Sequence, residues 1–222
     1  MWASQVPALS VDYRVISVDL RGHGRSPVPA GPYAMGELAG DVIAVLDRHG
    51  IERASVCGLS LGGMVALTMA AIAPDRLDQL VAACVVAVPA APAAWHERAQ
   101  SVRAGGSAAV SDLVVERWGY RDRAPEVAQL VRDMLAATAP EGYAGSCEAI
   151  ANMDLRPALP LVAAPTLLIA GSEDPAAPAS VAHEMAAAMP DASVDVIEGA
   201  AHLLNVEAPT ATTEAILRHL RR

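Results

Sequence analysis

Val56-Cys57-Gly58-Leu59-Ser60-Leu61-Gly62-Gly63 sets one serine between two glycines, at the point where an apolar, β-branched run gives way to a helical one. In a G-x-S-x-G elbow the serine occupies a strained strand-to-helix turn, and small residues two before and two after it let the backbones pass closely. Gly58 and Gly62 hold those places. Arg53–Cys57 reads as a short strand and Leu61–Ala73 as an apolar helix, whose first N–H groups point back at the serine and favour a developing negative charge. A glycine-rich turn with an incidental serine is the alternative reading of the bare pentapeptide; the flanking strand and helix favour a nucleophile.

At 222 residues the chain suits one α/β domain around a single core. A net charge of −9 and a pI near 5.0 argue against nucleic acid or an anionic membrane as partner, because phosphate contacts need basic patches. The expected partner is a small molecule or a protein. Cys57, Cys84 and Cys147 are odd in number and spaced unlike any metal motif, which suits free thiols in a reducing compartment. No basic segment leads into an apolar one at the amino terminus, and no uncharged apolar run could span a bilayer, so the expected location is the cytoplasm.

Outward from the elbow, Trp2–Leu9 reads as the tail of a helix and Tyr13–Asp19 as a strand, followed by the loop Arg21-Gly22-His23-Gly24-Arg25-Ser26-Pro27. Met35–His49 carries a helical apolar period that ends at Gly50. Beyond the elbow, Leu80–Val88, Pro165–Ala170 and Ser193–Ile197 are apolar runs of strand length, with helices over Ala179–Met189 and Thr210–Leu220. Strands alternating with helices predict a mostly parallel sheet of about five strands with helices on both faces. Between Pro89 and Pro160 the alternation stops, and helical segments near 93–102, 108–118 and 125–137 follow one another. The predicted organisation is a core over residues 1–88 and 161–222, interrupted by a helical cap over 89–160. Trp118 and Tyr143 of the cap are candidate substrate contacts, since pockets favour aromatic linings.

A serine needs a base, and the base an orienting acid. Asp174 follows the strand ending at Ala170, and His202 follows the strand ending at Ile197, so both emerge at the same sheet edge as Ser60. His23, on the loop after a predicted strand, is the rival base; His183 and His219 fall inside helices and read as solvated. Glu173 is the rival acid. His183-Glu184 begins like a zinc helix but lacks the second histidine, so no metal site is expected.

The segments Cys57–Met64, Asp19–Ser26 and Ala139-Pro140-Glu141-Gly142-Tyr143-Ala144-Gly145 together resemble the 3-oxoadipate enol-lactonases, α/β-hydrolases of aromatic catabolism in the β-ketoadipate pathway. The likeness runs nearly end to end, and the chain order Ser, Asp, His is that of α/β-hydrolases. It implies an α/β-hydrolase fold and an enol-lactone substrate hydrolysed without a cofactor. It assigns Ser60, Asp174 and His202 as nucleophile, acid and base, with the Leu61 N–H as an oxyanion donor. A carboxylate on that substrate calls for a cation, for which Arg117, Arg121 and Arg123 of the cap are candidates. A general esterase or haloperoxidase-like hydrolase would use the same three residues on another substrate. An inactive, hydrolase-like protein is the third reading.

That third reading rests on the amino terminus. The family's second oxyanion donor comes from a loop after a strand that runs between those matching Tyr13–Asp19 and Ala54–Cys57. Neither precedes Met1-Trp2 here. The expectation is therefore an amino-terminally incomplete hydrolase, of low stability and weak activity, in which the two strands face each other across a gap.

Overall fold

The computed structural model describes residues 1–222. Helices α1 (Gln5–Leu9) and α2 (Met35–Arg48) precede strand β1 (Ala54–Leu59), helix α3 (Leu61–Ile72) and strand β2 (Leu77–Ala83). Four helices follow, α4 (Pro92–Gly105), α5 (Ser111–Arg117), α6 (Pro125–Ala137) and α7 (Pro140–Ala151). The chain then returns through β3 (Thr166–Gly171), α8 (Ala179–Ala187), β4 (Ala192–Ile197), α9 (Leu204–Glu207) and α10 (Pro209–Leu220). The strands form one sheet in the order β1-β2-β3-β4, and every neighbouring pair is parallel. Parallel neighbours need crossover connections, which is why a helix or the four-helix insertion stands between each pair.

Successive side chains of a strand point to opposite faces, so a sheet covered on both sides must be apolar at every position. Leu80, Ala82, Leu168 and Ala170 join α2, α3 and α8 in one core. Val81, Ala83, Leu167 and Ile169 join α10 and the helical insertion in the other. This two-sided burial explains the unbroken apolar runs of β2 and β3. No helix is long and apolar enough to cross a membrane.

Three local differences from the expected pattern have physical causes. β2 starts at Leu77 rather than Leu80 and stops at Ala83; the Cys84 N–H still donates to the Ile169 carbonyl of β3 at 2.8 Å, but the positive φ of Cys84 (51°) turns the chain out of the sheet, and the apolar residues 85–88 lie in a loop. Helix α7 had no helical signature, since Gly142 and Gly145 weaken its propensity. Those glycines serve contacts instead: a Cβ on Gly142 would lie 2.0 Å from the Gly22 carbonyl oxygen, and one on Gly145 2.8 Å from the Tyr33 ring. The insertion is thereby seated on the Arg21–Pro27 loop, backbone against backbone.

Tyr13–Asp19, expected as a strand, is not one. No backbone N–H between Arg14 and Leu20 finds a carbonyl, so the sheet has four strands rather than five. β-branched residues favour an extended backbone, but a strand exists only where a ladder partner does. The segment and β1 together line one cavity of about 1960 Å³, with no hydrogen bond between them.

Candidate active site

The carboxyl ends of β1, β3 and β4 deliver three side chains to one place. Ser60 caps α3 with φ 52° and ψ −118°, a region that costs a non-glycine residue about 1–3 kcal/mol. The turn is held by the Ser60 N–H donating to the Ala83 carbonyl at 2.8 Å and by the Met64 N–H donating to the Ser60 carbonyl at 2.9 Å. Gly58 is indispensable here, because a Cβ on it would lie 2.2 Å from the Gly62 backbone. Gly62, expected to be small for the same reason, has open space where its own Cβ would go; the second constrained glycine is Gly63, pressed against Val85.

His202 Nε2 lies 3.0 Å from Ser60 Oγ, and His202 Nδ1 lies 2.8 Å from Asp174 Oδ2. With the ring proton on Nδ1 toward the carboxylate, the Nε2 lone pair faces the serine hydroxyl. The other oxygen of Asp174 accepts the N–H groups of Ala176 (2.8 Å) and Ala177 (3.2 Å). Burial, the largest influence, pushes the Asp174 carboxyl up, but the bond to His202, that ring's charge and the two N–H donors together hold it below its usual value. It remains an anion although only 3% exposed.

The histidine loop is braced by residues with no local sequence signal. Tyr120, fully buried, accepts the Leu203 N–H at 2.7 Å and donates to Glu207 at 3.3 Å, while Glu207 accepts the Ala201 N–H at 2.7 Å. The Trp118 ring stands 5.0 Å from the His202 ring at 33°, on the side facing the cavity.

A sequence profile of the alpha/beta hydrolase fold matches residues 1–209. The chain is 36% identical to 3-oxoadipate enol-lactonase 2 of Acinetobacter baylyi, over all of this chain and 84% of that protein. The crystal structure of the enol-lactonase from Burkholderia xenovorans superimposes with a TM-score of 0.93 at 39% identity, covering 100% of this chain and 86% of that one. A thermophilic esterase from Thermogutta terrifontis, solved with malate bound, gives 0.93 at 32%, covering 99% and 84%. The chain belongs to the α/β-hydrolase family.

In this α/β-hydrolase the residues singled out from the sequence are placed as follows. Leu61 opens α3, so its N–H has no carbonyl within the helix to bond and sits beside Ser60. Trp118 and Tyr143 both line the cavity that holds Ser60 and His202. Glu173 is exposed, and His23, which lines the cavity, sets its Nδ1 3.2 Å from the Arg21 carbonyl rather than on the serine. His219, expected to be solvated, is only 2% exposed, with Nε2 3.2 Å from the Pro165 carbonyl. Of the three cap arginines, Arg121 is paired with Glu116 at 2.7 Å and Arg123 with Glu207 at 2.8 Å; Arg117 faces the cavity.

Cys84, Asp174 and His202 place ligand-type atoms within 4.8 Å of one another. The histidine and aspartate atoms are spent on each other, however, and burial keeps the Cys84 thiol protonated. The trio is the underside of the Ser60 relay, not a set of free donors.

Proposed function

We propose that this protein is a serine hydrolase that opens an enol-lactone, 3-oxoadipate enol-lactone in the family it resembles, through an acyl-serine intermediate. The observation that carries this reading is the relay Ser60–His202–Asp174 at 3.0 and 2.8 Å. Ser60 Oγ attacks the lactone carbonyl while His202 Nε2 takes its proton, and Asp174 stabilises the imidazolium. The Leu61 N–H, at the positive end of α3, donates to the oxyanion. Collapse of the tetrahedral intermediate breaks the ring C–O bond and expels an enolate oxygen, which takes the proton from His202; the enol then becomes the ketone. Water, deprotonated by His202, attacks the acyl-serine and releases the acid. In this reading residues 89–160 cap the site, Trp118 and Tyr143 contact substrate, and no cofactor takes part.

A broader esterase activity is the second reading, favoured by the likeness to the thermophilic esterase at a TM-score of 0.93 and 32% identity. Turnover of a panel containing enol-lactones, saturated lactones and p-nitrophenyl esters separates the two. The proposal expects kcat/KM for the enol-lactone to exceed that for the best simple ester by at least about tenfold. Equal or reversed values would move the assignment to a general esterase.

A further inference from the structure

The loop that carries His202 is held by the helical insertion rather than by the sheet. Three successive N–H groups, those of Ala201, His202 and Leu203, donate in turn to the Glu207 carboxylate at 2.7 Å, to the Trp118 carbonyl at a long 3.5 Å and to the Tyr120 hydroxyl at 2.7 Å. Trp118 and Tyr120 belong to the link between α5 and α6. Glu207 is tied to that link twice, by the Tyr120 hydroxyl donating at 3.3 Å and by Arg123 at 2.8 Å, and Arg123 donates in addition to the Gly199 carbonyl. Gly119, with φ 82°, lies against both loops of the relay: a Cβ there would stand 3.1 Å from the Glu173 carbonyl oxygen and 3.3 Å from the Ala201 Cβ.

Ala201 and Leu203 are buried, and a buried N–H without an acceptor is costly. Removing either acceptor therefore drives the loop to a new position instead of leaving the old one with a bond missing. His202 stands between the two anchored residues, so its ring moves with them, away from Ser60 and Asp174. A displacement of about 1 Å is enough to cost a reaction roughly a hundredfold. Neither Tyr120 nor Glu207 lines the cavity, so an effect of either on turnover passes through His202 and not through contact with substrate. A tyrosine that only filled the core would be replaced by phenylalanine without effect on the relay.

We propose that Tyr120 and Glu207 are positioning residues for His202, through which the seat of the α5–α6 link sets the geometry of the relay. As a statement about turnover it rests on the reading of Ser60 as nucleophile; as a statement about the placement of the His202 ring it does not.

The test therefore reads the ring first. In proton NMR of the full chain, the His202 Nδ1–H that donates to Asp174 gives a low-field resonance, assigned by its absence in Asp174→Asn. Tyr120→Phe, which keeps the ring and removes the oxygen, should broaden or abolish that resonance at temperatures well below its Tm. Glu207→Leu should do the same, and Glu207→Gln, which keeps an acceptor for the Ala201 N–H, should recover most of the signal. A folded Tyr120→Phe indistinguishable from the parent in this resonance would overturn the proposal. If Tyr120→Phe does not fold, the Glu207 pair decides: Leu and Gln variants alike would overturn it. In a second arm, hydrolysis of p-nitrophenyl acetate by Tyr120→Phe and by Glu207→Leu should lose about ten- to a hundredfold in kcat with KM within about twofold, and the double variant should be little worse than either. A loss carried by KM, or no more than the unfolded fraction explains, would leave both residues structural and overturn their role. A parent that shows the resonance, and loses it in Tyr120→Phe, but turns over no ester or lactone would keep the positioning and sink the hydrolase reading instead.

Discussion

The floor and the roof of the cavity are built on opposite principles. Below, Ser60, His202 and Asp174 sit at the ends of parallel strands, and every polar atom that matters is bonded to a named partner at 2.8–3.2 Å. Above, the helical insertion presents Trp118, Tyr143 and Arg117 to the cavity, and the buried Nε of Arg98 has no hydrogen-bond partner. A fully satisfied network is rigid and specifies chemistry, whereas unsatisfied groups facing a cavity await a ligand. In the proposed reading the floor sets whether an acyl group is transferred and the roof sets which one.

The sharpest way to break this contrast is substitution on the floor. Ser60→Ala and His202→Ala should each lower kcat about 10⁶-fold, and the double variant should be little worse, because relay residues act as a unit. Additive losses in steady-state kinetics would contradict a shared role. Asp174→Asn should cost about 10⁴-fold by presenting His202 with the wrong hydrogen-bond partner, while Glu173→Gln should stay within about twofold. The reverse ranking would transfer the acid to Glu173.

Roof substitutions should act more gently and on binding. Trp118→Ala removes the ring beside His202, and is expected to cost about tenfold in kcat/KM, shared between KM and kcat. A loss as large as that of Asp174→Asn would erase the distinction between the two regions.

Stability separates the regions in another way. Ser60→Gly should abolish activity yet raise Tm by about 2–4 °C, since glycine adopts the φ 52° backbone without strain. Unchanged or lower Tm would show that the elbow stores no strain. Away from the cavity, burial lowers the pKa of His219, and the Arg222 charge lowers it further against the pull of the Pro165 carbonyl. A histidine depressed in the folded state stabilises fully above its unfolded pKa of about 6.5, and that contribution is lost as pH falls. Melting curves from pH 8 to 5 should therefore fall more steeply for the parent than for His219→Gln; parallel curves would remove His219 as a source.

The floor was legible in the sequence because its chemistry is local. Ser60, Asp174 and His202 each follow an apolar strand within a few positions, and parallel strands bring their carboxyl ends together. The bracing of His202 by Tyr120 and Glu207 was not legible, since those residues stand 82 and 5 positions away with no motif linking them. Nor were the arginines: Arg98 and Arg121 look alike in a one-dimensional string, and only the fold gives one a glutamate and the other a tryptophan face. His219 was misread for the same reason, a helical position whose outward face is covered. Tyr13–Asp19 marks the limit for strands, because β-branched composition predicts an extended backbone but not its partner. Amide exchange is expected to register that difference, with Arg14–Leu20 exchanging fast and β2 and β3 protected.

All of this depends on Ser60 being an organised nucleophile, and a fluorophosphonate reacts with such a serine whatever its substrate. Incubation of the full chain with the probe, followed by intact mass and peptide mapping, should add one label per chain at Ser60 and none in His202→Ala. An unlabelled chain, or a label on any other residue, would contradict the account.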